Sequence, residues 1–438
     1  MRRLLMLLCA TSLVAGCSAP SPDAASEAQD PDGATSAGAQ MPQVDPAGPS
    51  GWGPTRGEIT QARALVGAMP VEEQAWQVLM PAFWGFDADL VTPAEAARNR
   101  ASHGVDTVAE AVQAHGYGGL FVKPEAIEDA AQVHDLVEAL HARGDTPDGL
   151  PLLVSVDQEG GVVQRIKEGV TRVPTARSIG QTGNPRLARR IARNNGEEMR
   201  ALGFTMMLAP VADVDTAGNG VVASRSYSSD YDEAAAMVRA SVRGYLDAGI
   251  IPVVKHFPGH GSVHGDSHRS LPVQDKSVAE LMRSDLKPFR AVIEAGVPAI
   301  MTGHIAVPAL EADIPSSLSP GMVQGVLRER LGFAGLVVTD SQGMGPVNGP
   351  YGSGEGAVRS LLAGNDLVLN SPSVTGAHTA VVAAVQSGRL SGVRLSDAAT
   401  RVVAIRLYQK RIGADQPDLS VLRSSDHLND AARVSTGG

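Results

Sequence analysis

Cysteine is nearly missing from this chain: there are 2 in 438 residues, Cys9 and Cys17. Both fall in the first seventeen positions, so no disulfide can cross-link the body that follows. Positive charge is also short, with 47 acidic residues against 37 basic ones and a formal net charge of −10. That balance argues against nucleic acid as a partner and against an electrostatic grip on anionic lipid. Long apolar runs are absent too. The run near the start, at 4–8 and 13–15, is too short and too interrupted to span a bilayer. No Gly-x-Gly-x-x-Gly follows an early strand, which removes the usual mark of a dinucleotide fold. No His-Glu-x-x-His occurs, so the common zinc-helix motif is missing as well.

What stands at the start is a basic pair, Arg2 and Arg3, then the apolar run, then Val14-Ala15-Gly16-Cys17. This reads as a secretory signal over 1–16 with a small-residue cleavage region. Val14 to Cys17 resembles a bacterial lipobox, which implies lipid on Cys17 and an exported, extracytoplasmic protein held at the cell membrane. Residues 17–56 are rich in Ala, Pro, Gly, Ser, Asp and Gln and poor in large apolar side chains. Such a stretch cannot bury enough surface to offset its ordering entropy, so it reads as a flexible tether.

The body, 57–415, alternates short apolar runs with amphipathic stretches. Strands are expected at 77–83, 119–123, 150–157, 204–214, 250–256, 299–305, 335–340 and 366–370. Helices are expected at 128–142, 185–202, 232–248, 278–295, 320–331 and 354–363, each long enough for a crossover. Eight strand–helix units indicate an α/β fold, a single (β/α)8 TIM-type barrel with no large second domain. A doubly wound open sheet is the alternative. A helix at 394–411 would close the chain against the barrel, and the tail 416–438 reads as loosely held.

One stretch stands out chemically: Lys255-His256-Phe257-Pro258-Gly259-His260-Gly261-Ser262-Val263-His264-Gly265-Asp266-Ser267-His268. It follows the run at 250–254 directly. Interior Gly costs a helix about 1 kcal/mol and Pro about 3, so this segment is a loop. It could be a plain solvated loop. It could be a metal site, since histidines recur every four residues, but that spacing aligns ligands only on a helix. It could carry acid/base chemistry, because Asp266 can orient His268 from two residues away. Polar residues also gather at the ends of other strands: Asp157, Asp213, His304 and Asp340. In a barrel of this type that end is the catalytic face.

Lys255-His256-Phe257-Pro258-Gly259-His260-Gly261 with Asp266-Ser267-His268 resembles the signature of glycoside hydrolase family 3. Within it, the pattern is similar to the NagZ-type β-N-acetylglucosaminidases, bacterial lipoprotein forms included. The likeness covers roughly 73–369. It implies Asp340 as nucleophile and the His268–Asp266 pair as general acid/base. It also implies sugar contacts from Asp157, Arg165, Arg225, Lys255 and His256, with Asp213 and His304 lining the pocket. The sequence departs from the family at Gln342, where Leu is common, and at Val162, where Arg is common; 345–354 is rich in Gly and Pro.

The implied reaction is retaining hydrolysis of terminal β-linked N-acetylglucosamine from peptidoglycan fragments, with no metal or organic cofactor. Alternatives are an N-acetylglucosaminide phosphorylase, a β-glucosidase of the same family, or a lipoprotein that binds sugar without cleaving it.

Overall fold

The computed structural model describes residues 45, 47–145, 149–218 and 220–435. The signal segment 1–16, Cys17 and the tether as far as residue 44 lie outside the described residues. From residue 47 the expected tether is already packed. Pro49 bridges Thr55, and Trp52 is buried in the core. Helix α1, Arg56–Ala68, starts on a reciprocal cap: Glu58 N donates to Thr55 Oγ1 and Thr55 N to Glu58 Oε2. The single large aromatic and the Thr-x-x-Glu box explain why order begins before residue 57.

Each of the expected strands has a counterpart, shorter than expected except for the fifth, which keeps its length and is shifted by one residue. They are β1 Leu79–Met80, β2 Gly119–Phe121, β3 Leu153–Val156, β4 Met206–Met207, β5 Ile251–Phe257, β6 Ala299–Thr302, β7 Leu336–Thr339 and β8 Val368–Leu369. Six form one parallel sheet in the order β7-β6-β5-β4-β3-β2. β1 and β8 pair with each other in parallel. Single bridges, Ala82 to Phe121 and Val338 to Leu367, join that pair to β2 and to β7. The fold is an α/β domain around a curled parallel sheet. Every residue of β5 is buried, the continuous burial expected of a parallel strand covered on both faces.

Helices cover the outside. The longest crossovers include α2 Ala130–Gly144, α3 Pro185–Ala201 and α4 Tyr231–Asp247. α3 is capped by Asn184, whose Oδ1 accepts from Arg186 N and Leu187 N. It turns Leu187, Ile191, Ala192, Asn195 and Met199 inward at helical spacing. The helix expected at 278–295 is two, Val278–Arg283 and Lys287–Glu294. Buried Asp285 at the break takes the Lys276 ammonium, and Pro288 opens the second helix. The Gly/Pro-rich stretch after β7 is not a loop either: α5, Gly345–Ala363, spans it and bends at Gly352, where φ is +60°. α6, Gly392–Ile412, closes against the sheet as expected.

As far as residue 435, the last one described, the tail is not loose. Its helix α7, Ser425–Ser435, docks on α3. His427 is buried, with Nδ1 3.0 Å from Glu198 and Nε2 3.2 Å from Glu197. Burial alone would push that imidazole down, but bonds to the two carboxylates push it up to about 9, so it is a cation at neutral pH. Asp430 pairs with Arg190 in the same docking face. Polar composition hid this contact because most of it is made by charges, with Val434 adding one buried apolar side chain.

At the N-terminal end of β8, Asp366 is fully buried and gathers three guanidiniums, from Arg328, Arg394 and Arg401. It also accepts Val337 N at 3.0 Å. Such a centre away from the catalytic end serves stability. Asp366→Ala leaves Arg328 buried without its counter-charge, which costs about 3–5 kcal/mol. Urea unfolding measures it; a loss below about 1 kcal/mol would mean the cluster is solvated in practice.

Candidate active site

Asp157, Arg165, Arg225, Lys255, His256, His268 and Asp340 all line one cavity of about 490 Å³. Segments far apart in the chain meet there because parallel strands deliver their C-terminal ends to one side of the sheet. Asp340 follows β7 directly. Its N–H donates to Thr302 O at 2.8 Å, and its Oδ1 accepts Ser341 N at 2.7 Å. Burial pushes this carboxyl up, but His256, His304, the Ser341 N–H and Lys255 outweigh it and hold it below the usual carboxylate range. Asp340 is therefore an anion at neutral pH.

The cavity floor is an ion-pair network. The Lys255 ammonium lies 2.6 Å from Asp157 Oδ1 and 2.7 Å from Glu159 Oε1. Arg225 clamps Glu159 through two bonds of 2.8 Å, from Nε and Nη2. Burial raises the Glu159 carboxyl, yet Lys255 and Arg225 together hold it far below its ordinary value. Lys255 and Arg225 are thus fixed by carboxylates before any ligand arrives, which pre-organises their remaining faces. Glu159 escaped the candidate set. The one available signal was its place two residues after Asp157, since alternate residues of an extended segment share a side.

Arg165 is placed by Gln158, whose buried Oε1 accepts Arg165 N at 2.8 Å and Ile166 N at 3.0 Å. His256 turns its Nδ1 to Asp213 Oδ2 at 2.7 Å. Asp213 also accepts the N–H groups of His256 and His260. Burial raises the Asp213 carboxyl, but His256 and His260 bring it down to about 2. Asp213 and His304 are not among the residues that line the cavity, contrary to expectation. Asp213 is 1% exposed and His304 is 0% exposed. Asp213 braces His256 from behind, while His304 ties Ser317 Oγ to the carbonyl of Ser341 beside Asp340.

The His268 side chain is 62% exposed and hydrogen-bonds Asp266 Oδ1 through Nδ1 at 2.7 Å. Asp266 also accepts His268 N, so it locks both backbone and ring. Asp266 itself does not line the cavity. Nε2 is then the nitrogen available for proton transfer. The loop is steadied from the segment that follows Asp340, because Gly345 N donates to His268 O at 3.2 Å. A Cβ at Gly345 would lie 3.0 Å from Arg269 O and 3.3 Å from His268 O, so a side chain there would push the His268 loop back by a few tenths of an ångström.

The alternating histidines of the loop do not converge. His256 and His268 bind different aspartates, and among the described residues no group of three or more His, Cys, Asp and Glu is placed to hold a metal. Apolar wall is supplied by Phe121, Leu208, Met301 and Leu369, which a sequence reading classes simply as strand residues. Gln342, in place of the usual Leu, is buried with neither amide atom hydrogen-bonded, and it packs against Gly356 of α5.

The glycosyl hydrolase family 3 N-terminal domain matches residues 71–405. A β-hexosaminidase of Thiobacillus denitrificans is 38% identical over 265 residues, covering 59% of this chain and 72% of that protein. The β-hexosaminidase LpqI of Mycobacterium tuberculosis is 40% identical over 228 residues, covering 50% of this chain and 58% of that one. The solved structure of a family 3 β-N-acetylglucosaminidase from Paenibacillus sp. str. FPU-7 superposes with a TM-score of 0.76 at 35% identity, covering 84% of this chain and 69% of that chain. A domain match over most of the chain, together with relatives at this identity, establishes that the chain belongs to glycosyl hydrolase family 3.

Proposed function

We propose that this chain is a retaining exo-β-N-acetylglucosaminidase, of the β-hexosaminidase kind, acting on terminal β-linked N-acetylglucosamine of peptidoglycan fragments. The observation that carries the reading is the shared cavity: anionic Asp340 and Asp266-bound His268 open onto the same space. Retention requires a carboxylate to attack the anomeric carbon and a proton donor for the departing oxygen. Asp340 forms the glycosyl-enzyme as His268 Nε2 protonates the leaving group. The same nitrogen then takes a proton from the water that releases the sugar. Imidazole suits both steps near neutral pH. Lys255, Arg225, Asp157 and His256 hold the sugar's hydroxyls. In this reading the curled sheet closes through the β1–β8 pair as a complete (β/α)8 barrel.

Nitrophenyl β-N-acetylglucosaminide and nitrophenyl β-glucoside, each with and without phosphate, test the proposal. Turnover of the first, indifferent to phosphate, supports it. Faster cleavage of the glucoside would favour a β-glucosidase, and sugar 1-phosphate as product a phosphorylase. Binding without turnover of either would leave a sugar-binding lipoprotein.

Anchoring is part of the same proposal: lipid on Cys17 holds the enzyme at the membrane, with the following segment as tether. Cys17→Ala should leave the signal uncut or release the protein to the soluble fraction. A processed, unlipidated mutant still sedimenting with membranes would overturn it.

A further inference from the structure

The segment that carries His268 is pinned where it leaves the body of the fold and where it returns. On the way out, Gly261 O accepts Thr216 N at 3.1 Å and Ala217 N at 3.2 Å. A Cβ on Gly261 would lie 2.2 Å from Val214 O, so the chain passes this close only as glycine. On the return, Val273 bridges Ala306, which lies beyond the end of β6. Ala306 N donates to Pro272 O at 2.9 Å, and Gln274 N donates to Ala306 O at 2.8 Å. A side-chain bond then joins the two ends: Gln274 Nε2 donates to Ser262 Oγ at 2.6 Å. Gln274 is 2% exposed, and its Oε1 accepts Lys276 N at 3.2 Å, which turns its amide nitrogen toward Ser262. Lys276 is in turn paired with buried Asp285. The loop 263–273 enclosed by this bond holds Asp266, Ser267 and His268. Ser267 and His268 line the cavity, whereas Ser262 and Gln274 do not.

We infer that Gln274 is a positioning residue for proton transfer: its bond to Ser262 closes the neck of the 263–273 loop, and the closed neck places His268 over Asp340. This rests on the glycosidase reading above. Asp266 fixes the imidazole only against backbone two residues away. It cannot fix where that backbone stands relative to the nucleophile. Holding the two ends of a loop together removes conformations that would compete with the productive one. A proton donor displaced by about 1 Å loses much of its effect, so a bond outside the cavity can govern a step inside it. Gln274 touches neither substrate nor the reacting atoms, and it acts only through the loop.

The test uses Gln274→Ala and Ser262→Ala, singly and together, on an N-acetylglucosaminyl disaccharide and on nitrophenyl N-acetylglucosaminide. The readout is kcat/KM, which reports the steps up to formation of the glycosyl-enzyme. The disaccharide needs its departing oxygen protonated in that step, and the nitrophenyl compound hardly does. Each single variant should lose about tenfold on the disaccharide, the size of one hydrogen bond, and less than about twofold on the nitrophenyl compound. The double variant should be no worse than either single one, because both remove the same bond. Ser262→Thr, which keeps the hydroxyl, should retain most of the disaccharide rate. Equal losses on the two substrates would make the bond merely structural and overturn the inference. So would additive losses in the double variant, or disaccharide cleavage that survives both single changes. Failure of the wild-type chain to cleave either substrate would instead strike the glycosidase reading itself.

Discussion

Asp340→Ala should lower kcat for every N-acetylglucosaminide by about 10⁴–10⁶-fold, the scale of removing a covalent nucleophile. The substitution deletes the one anion that both follows β7 and lines the cavity, while the Lys255 and Arg225 network with Asp157 and Glu159 stays intact. Substrate should therefore still bind, and a competitive sugar ligand should show little change in Kd. A slow fluorinated glycoside should leave a sugar on the wild-type chain, and peptide mass should place it on Asp340. Label on Asp157 or Asp213 would overturn the assignment. Asp213 is a poor competitor on geometry, since His256 and His260 already occupy its oxygens behind the wall.

His268→Ala should separate substrates by their leaving groups. General acid catalysis contributes about 10²–10⁴-fold, and it matters most when the departing oxygen is a poor leaving group. Hydrolysis of a disaccharide should fall by that amount. A nitrophenyl glycoside should form its covalent intermediate far more readily, and the intermediate should then accumulate as a burst because no base activates water. Azide, which needs no deprotonation, should speed its release. Asp266→Ala should show a weaker version, since Asp266 fixes the ring through Nδ1 but transfers no proton. Equal losses on both substrates, without burst or azide rescue, would move His268 to a binding role.

Much of this site could be read before any coordinates. The 255–268 segment announces itself through glycines that forbid a helix and titratable groups that follow an apolar run. Local rules were enough for the strand positions as well, because a buried parallel strand is a short apolar run with turns on both sides. Local rules failed where contacts come from afar. Nothing in 425–435 predicts that His427 will find Glu197 and Glu198 on α3. Nothing in Gly345-Pro346 predicts that this glycine-rich stretch will start a helix under the His268 loop.

The sequence by itself determined residue chemistry and local geometry: which segments could be strands, which could not be helices, and which side chains could attack, protonate or pair. Only the tertiary structure decided how those side chains are spent. Asp157, Asp213 and Asp340 are alike on paper, each an acidic residue at the end of an apolar run. In the fold Asp157 lines the cavity tied to Lys255, Asp213 is sealed behind His256, and Asp340 lines the cavity with its charge held by the fields around it. The difference is one of burial and neighbours, which are sums over residues distant in the chain, and no window of sequence contains them.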